Sequence, residues 1–255
     1  EDAYEWAILN WDPEAEDIRN ARLYASAWMY KYSGVAIFQN HFKEDYARTS
    51  SGQMASDNKN WAVYAYITTE HDNIDLTLQG EALSFARNIA DSDIVDPAEK
   101  RSFRVGFNWY YPIVVGQATT PRVIPALILF KVTGEEKYLT SSLTTVDYFM
   151  GGNPLNMLWI TGYGDRHPLQ VLHLDTWWHP DGREEMIPGI TPYGPTNRDW
   201  FPSPNGPHSA EFANERVYPH KSRWPVHEMY FDNRYCPPSN EYTIHQQMAL
   251  TSFTF

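Results

Sequence analysis

The four residues Gly151-Gly152-Asn153-Pro154 divide the chain into two kinds of sequence. Before them, apolar residues recur every three or four positions, the period of a helix with one buried face. After them, as far as Pro238, the chain is dense in Pro, Gly, Trp, His and Asp, and no helical period runs through it. Such a chain must build its core from helices and carry a long irregular segment on them. A segment of that length rich in aromatics is more often functional than disordered.

The helical part can be read element by element. Ile18, Ala21, Ala25, Trp28 and Tyr32 fall at spacings of three and four and predict one buried stripe, with Gly34 as its stop. Further helices are expected over about 35–47, 58–69 and 75–91, another opening at Pro97, and one from Pro121 to Val132. Thr133 to Leu139 reads as a turn into a helix whose apolar face is Tyr138, Leu139, Leu143, Val146 and Met150. Gly151 and Pro154 end that helix, since glycine caps and proline blocks continuation. Paired helices joined by short turns predict an all-α fold of helical-hairpin or toroid type. The expected organisation is a single domain over 1–255: helical over 1–150, loops over 151–239, and a last helix over 240–252.

Composition narrows the function. A formal net charge of −12 with no basic patch argues against nucleic acid and anionic membrane surfaces as partners. No apolar run is long enough to span a membrane. The one cysteine, Cys236, leaves no internal disulfide to form. The chain opens on Glu rather than Met and shows no signal peptide, as a processed chain or a piece of a longer one would. Aromatic residues make up 15% of the chain, with ten Trp and seventeen Tyr, many in the irregular segment. Aromatic faces on loops suit flat ligands such as sugar rings; they also simply cover helix ends.

Several residues of the irregular segment are candidates for chemistry. In Asp232-Asn-Arg-Tyr-Cys-Pro-Pro-Ser-Asn-Glu241 a rigid proline turn precedes a carboxylate, with an Asp and an Arg just upstream. Ser239 or Asn240 as N-cap, with Glu241 in the first helical turn, is one reading; Glu241 as a catalytic acid is the other. Asp232 and Arg234 could form an ion pair bracing this loop. His173, Asp175 and His179 could bind a metal, but no fourth ligand stands at a recognisable spacing, so neither a metal nor a cofactor is assigned. Trp177 and Trp178 could stack on sugar rings, one of the two facing a cleft if the chain is extended there. Trp109 to Pro112 offers similar aromatics at a helix end, and Gly189 to Pro195 reads as a turn-rich loop.

The stretch from Thr133 to His173 resembles the C-terminal half of glycoside hydrolase family 9, mostly cellulases folded as an (α/α)6 toroid. Gly152-Asn153-Pro154 and Ile160-Thr161-Gly162-Tyr163-Gly164 match the family pattern, with Pro168 and His173 at the expected offsets; Leu174 stands in the place of an Arg. Asp232, Arg234, Asn240 and Glu241 match a second family motif, with Pro237 in place of a Tyr and Gln247 in place of an Asn. The beginning of the chain also resembles a family helix pair. The resemblance implies a partial (α/α)6 toroid with its active-site loops over 151–239. It implies that Glu241 protonates the leaving glycosidic oxygen, that Asp232 and Arg234 orient the site, and that His173 lines a sugar subsite; Tyr163, Trp177 and Trp178 are further candidate substrate contacts. A β-glucan or oligosaccharide is the implied substrate, and a secreted or periplasmic setting the implied location.

Inverting hydrolysis needs a second carboxylate to activate water from the opposite face, about 6.5–9.5 Å away. The family's base motif, Asp-Ala-Gly-Asp, is absent from this chain. The expectation is therefore a C-terminal portion that carries the acid and takes its base from a missing N-terminal half. Two rivals share the scaffold: a non-catalytic carbohydrate-binding protein, which the changes at Leu174 and Pro237 would suit, and a helical-toroid polysaccharide lyase.

Overall fold

A computed structural model describes residues 2–12, 14–49, 58–106, 123–178, 186–195, 218–219, 223–234 and 236–242. All regular structure among the described residues is helical. The helices are α1 (Asp2–Asn10), α2 (Glu16–Ser33), α3 (Ala36–Arg48), α4 (Asn58–Ile67), α5 (Leu76–Ala90), α6 (Asp96–Lys100), α7 (Ile124–Thr133), α8 (Glu136–Phe149), α9 (Leu174–Trp178) and α10 (Pro237–Asn240). A π-helical turn, Asp91–Val95, leads into α6, and a 3-10 turn covers Val226–Glu228. No described helix is long and apolar enough to cross a membrane. The chain forms two compact units, one of Glu1–Ala90 with Ile128–Gly134, the other of Asp91–Leu127 with Glu135–Phe255.

In the first unit α2 packs against α3 and α4. Leu23, Ala27 and Tyr30 of α2 are fully buried, and the Phe42 and Tyr66 rings stack at 4.3 Å. Alanines at 82, 86 and 90 give α5 a small buried face that admits close approach. Arg22 holds the fully buried Asp45 through two 2.6 Å hydrogen bonds, so the carboxylate enters the core with its counter-charge. Gly34 ends α2 as the sequence predicts, at φ +67, with its N–H on the Tyr30 carbonyl.

The predicted stripe of α2 is not the buried one. Tyr32 is 78% exposed, Ala21 is exposed, and Ile18, Ala25 and Trp28 are only half-buried. The buried face is Leu23, Ser26, Ala27 and Tyr30. Its polar members are satisfied, Ser26 Oγ donating to the Leu23 carbonyl and Tyr30 Oη to Asn73 Oδ1, so their burial is cheap.

The second unit repeats that lesson in α8. Leu143 and Met150 are exposed, whereas Tyr138, Ser141, Ser142, Thr145, Tyr148 and Phe149 are buried. Gly106 donates its N–H to Thr145 Oγ1 at 2.8 Å, and a Cβ there would lie 2.9 Å from that oxygen. Val105, Tyr148, Phe149, Met157, Trp159 and Tyr230 form one core cluster. Trp159 meets the Tyr230 ring edge-on at 4.9 Å. His227 sits beside this cluster, its Nδ1 2.7 Å from Tyr148 Oη. The turn after α8 closes on buried Asn153, whose Nδ2 donates to the carbonyls of Tyr148 and Met157 while Oδ1 accepts the N–H of Leu155 and Met157.

Candidate active site

Three stretches of irregular chain meet at Glu241. Leu172 N–H donates to the Asn240 carbonyl at 2.8 Å, Tyr193 N–H to the Glu241 carbonyl at 2.8 Å, and Gly194 N–H to the Ser239 carbonyl at 2.9 Å. The segments around 172, 193 and 240 are thus joined by backbone hydrogen bonds outside any sheet or helix. Glu241 is held on both sides, because its own N–H donates to the Pro237 carbonyl at 2.9 Å. Its side chain remains exposed.

The prolines explain the local geometry. Pro237 and Pro238 supply preset φ angles at the first positions of α10, where a missing N–H costs nothing. The turn lasts four residues, and Glu241 follows it at φ −71, ψ 160, an extended conformation. Glu241 therefore comes after a helical turn rather than beginning a helix. This corrects the expectation of a helix from 240: Asn240 closes the turn, Glu241 and Tyr242 are non-helical, and residues 243–252 lie outside the described ones.

Asn240 is fully buried, and its Nδ2 reaches the carbonyls of Phe231, Asn233 and Cys236 at 2.5, 2.9 and 3.2 Å. Its Oδ1 accepts from Tyr230 Oη at 2.9 Å. Burial, and then the nearby Asp232 carboxylate, hold the Tyr230 hydroxyl far above the usual phenol range. Asp232 accepts the Leu169 N–H at 3.1 and 2.9 Å and the Gln170 N–H at 2.8 Å. Arg234 Nε donates to Gln170 Oε1 at 2.6 Å. Asp232 and Arg234 thus grip one distant loop, residues 169–170, which leads directly to His173.

His173 caps the short helix α9. Its Nδ1 accepts the Thr176 N–H at 3.2 Å and lies 2.6 Å from Thr176 Oγ1. An accepting Nδ1 places the proton of the neutral ring on Nε2. The ring stacks on Tyr242 with centroids 6.1 Å apart, so the residue after Glu241 and the predicted subsite histidine are neighbours. Trp177 and Trp178 lie in α9, on helical rather than extended backbone; their side chains, like all of His179, Trp109 and Tyr235, lie outside the described residues. No group of three or more His, Cys, Asp or Glu able to hold a metal occurs among the described residues.

Tyr163 is 56% exposed on a turn built by Thr161 and Gly162. Thr161 Oγ1 donates to the Ile187 carbonyl at 2.5 Å and accepts the Ile190 N–H at 2.9 Å. Gly162 adopts φ +76, with Pro188 so near that a Cβ would lie 2.8 Å from the proline Cβ. The 187–190 loop is thereby fixed and leads into Tyr193. That residue is missing from the sequence prediction, which marks only its loop. Burial raises the Tyr193 hydroxyl above its ordinary value, and the nearby Glu241 carboxylate raises it further.

The site therefore consists of an exposed carboxylate on irregular chain, beside tyrosines and a histidine, on an all-helical scaffold. Comparison with known proteins gives this arrangement its family. The glycosyl hydrolase family 9 profile matches residues 9–254, and the chain belongs to that family. A cellulose 1,4-beta-cellobiosidase from Acetivibrio thermocellus is 23% identical over 234 residues, covering 81% of this chain and 25% of that protein. Two solved structures share the fold: a metagenome-derived family 9 endoglucanase (TM-score 0.70, 18% identity, 93% of this chain and 40% of that one), and a thermostable endoglucanase variant from Alicyclobacillus acidocaldarius (TM-score 0.73, 17% identity, 92% and 42%). The protein is all-α, of the (α/α)6-toroid class, and spans less than half the length of these relatives.

Proposed function

We propose that these 255 residues are the C-terminal, acid-bearing portion of an inverting glycosidase that cleaves β-linked glucans or their oligosaccharides. The observation that carries this reading is the three-segment clamp on Glu241, which fixes its backbone and leaves its side chain exposed. Glu241 protonates the leaving oxygen. Tyr193, whose N–H holds the Glu241 carbonyl and whose hydroxyl feels its carboxylate, keeps it oriented. His173, with its Nε2–H free of the α9 cap, donates to a sugar hydroxyl, while Tyr163, Trp177 and Trp178 supply stacking faces. Asp232 and Arg234 hold the loop that carries His173. A related enzyme, AaCel9A, was solved in complex with cellobiose-like isofagomine, which supports a cello-oligosaccharide as ligand. The base belongs to the N-terminal share of the fold, and the working enzyme is secreted or periplasmic.

The test is hydrolysis of a soluble β-glucan by the full-length enzyme and by this chain alone. Glu241→Gln in the full-length enzyme should lower kcat by roughly 10²–10⁴-fold, the usual worth of a general acid. Cello-oligosaccharide binding should persist. Robust turnover by the 255-residue chain, abolished by the same substitution, would show that the base lies within it and would sink the two-part reading. A second reading, a sugar-binding protein without hydrolysis, draws on Leu174, which is 61% exposed where the family has an arginine. It predicts full-length protein that binds oligosaccharide but releases no reducing ends.

A further inference from the structure

The apolar stripe of α2 that the core does not use faces something else. Ile18, Ala21, Ala25 and Trp28 line an apolar groove of about 440 Å3, with Ala7 and Trp11 opposite. They lie roughly opposite Leu23, Ala27 and Tyr30, so α2 is apolar on two faces, the signature of a helix enclosed on both sides. α1 buries none of its residues, and Trp6, Leu9 and Trp11 are 56%, 83% and 48% exposed. Trp28 Nε1 is buried without an acceptor among the described residues. An apolar surface of this kind marks an interaction site.

Charge selects the occupant. The first 17 residues contain seven carboxylates and no Lys or Arg. Asp2, Glu5, Asp12, Glu16 and Asp17 are exposed, and among the described residues only Glu14 of this group forms an ion pair, with Arg48. A second copy would set like charges face to face. A sugar would find few partners, because Tyr4 Oη is 2.8 Å from His41 Nδ1 and Arg22 is bound to Asp45. The relatives, of which this chain spans 40–42%, possess the missing length. We propose that the α1–α2 groove docks an apolar helix flanked by Lys and Arg, supplied by the share of the family 9 fold outside these 255 residues. The source of the helix rests on the two-part reading above; the surface itself does not.

The experiment titrates the 255-residue chain against two labelled 18-residue amphipathic peptides, identical Leu/Ala faces flanked by Lys in one and Glu in the other, read by fluorescence anisotropy. The Lys peptide should bind saturably and at least tenfold tighter than the Glu peptide. Ala25→Glu should weaken it more than tenfold with circular dichroism unchanged. Glu16→Lys with Asp17→Lys, both on the surface, should narrow the preference for the Lys peptide at least threefold without touching the groove. No binding, equal binding of both peptides, an unchanged preference in the charge-reversed chain, or a dimer of this chain that Ala25→Glu dissolves would overturn the proposal. Glu241→Gln leaves peptide binding unchanged, so failure of the groove and failure of the glycosidase reading are separate results.

Discussion

Asn240 carries no charge and transfers no proton, yet the position of Glu241 depends on it. Its amide ties three carbonyls of the 231–236 loop to the turn that delivers Glu241, and its oxygen takes the Tyr230 hydroxyl. Asn240→Asp keeps the shape but replaces donors with a carboxylate facing carbonyls in a fully buried site. The expected loss is about 3 kcal/mol at pH 7, read from urea unfolding. Burial raises the new carboxyl above the ordinary range, so protonation on acidification restores a donor and recovers part of that loss. Asp232→Asn is milder, because one amide oxygen remains to accept where two oxygens served the N–H groups of Leu169 and Gln170. It should cost about 1–3 kcal/mol and, under the proposed glycosidase function of the full-length enzyme, raise KM more than it lowers kcat, since it loosens the loop to His173 rather than Glu241. The spacing of Asp232, Arg234, Asn240 and Glu241 is visible in the sequence. Their partners at 169–170 and 193 lie dozens of residues away, with no local signal to connect them.

From α2 to α8, boundaries were legible and faces were not. Gly34, Pro97 and Gly151–Pro154 punctuate the chain locally, so the ends of α2 and α8 and the start of α6 follow from residue type. Hydrophobic period finds an apolar stripe but not its partner. In α8 the buried Ser141, Ser142 and Thr145 each bond a carbonyl four residues back, which lets hydroxyls enter a core that periodicity assigns to leucine. Gly162 shows how far an element depends on one residue. Ala there meets Pro188 as well as the left-handed φ, whereas Gly134, at φ +72, has nothing within 4 Å of a built Cβ. Gly134→Ala should therefore cost about 1 kcal/mol, the backbone penalty alone. Gly162→Ala should cost about 2–4 kcal/mol, the excess being steric displacement of the 187–190 loop. Thermal unfolding of the pair separates the two contributions, and equal shifts would deny the contact with Pro188.

For the molecule as a whole, a net charge of −12 and a half-buried histidine act on stability in opposite directions as pH falls. Acidification toward pH 5 relieves carboxylate repulsion, a weak effect spread over an exposed surface and damped by salt. His227 works against it. Burial, and then the Arg101 guanidinium, push its imidazole down from 6.5 to about 4, while burial pushes the Tyr148 hydroxyl it faces upward. Between those two values the unfolded chain binds a proton that the folded chain refuses, so stability rises with pH across that window. The contribution is complete above about 6.5, is lost as pH falls, and levels off below about 4. A depression of that size corresponds to about 3 kcal/mol, enough to outweigh screened surface repulsion. Urea unfolding at pH 7, 6 and 5 in 0.15 M salt should show stability falling steadily. His227→Gln, which can still pair with Tyr148 but does not titrate, should flatten that slope, with the other eight histidines common to both proteins and cancelling in the difference. An equal slope in the two proteins would place the pH sensitivity elsewhere in the chain.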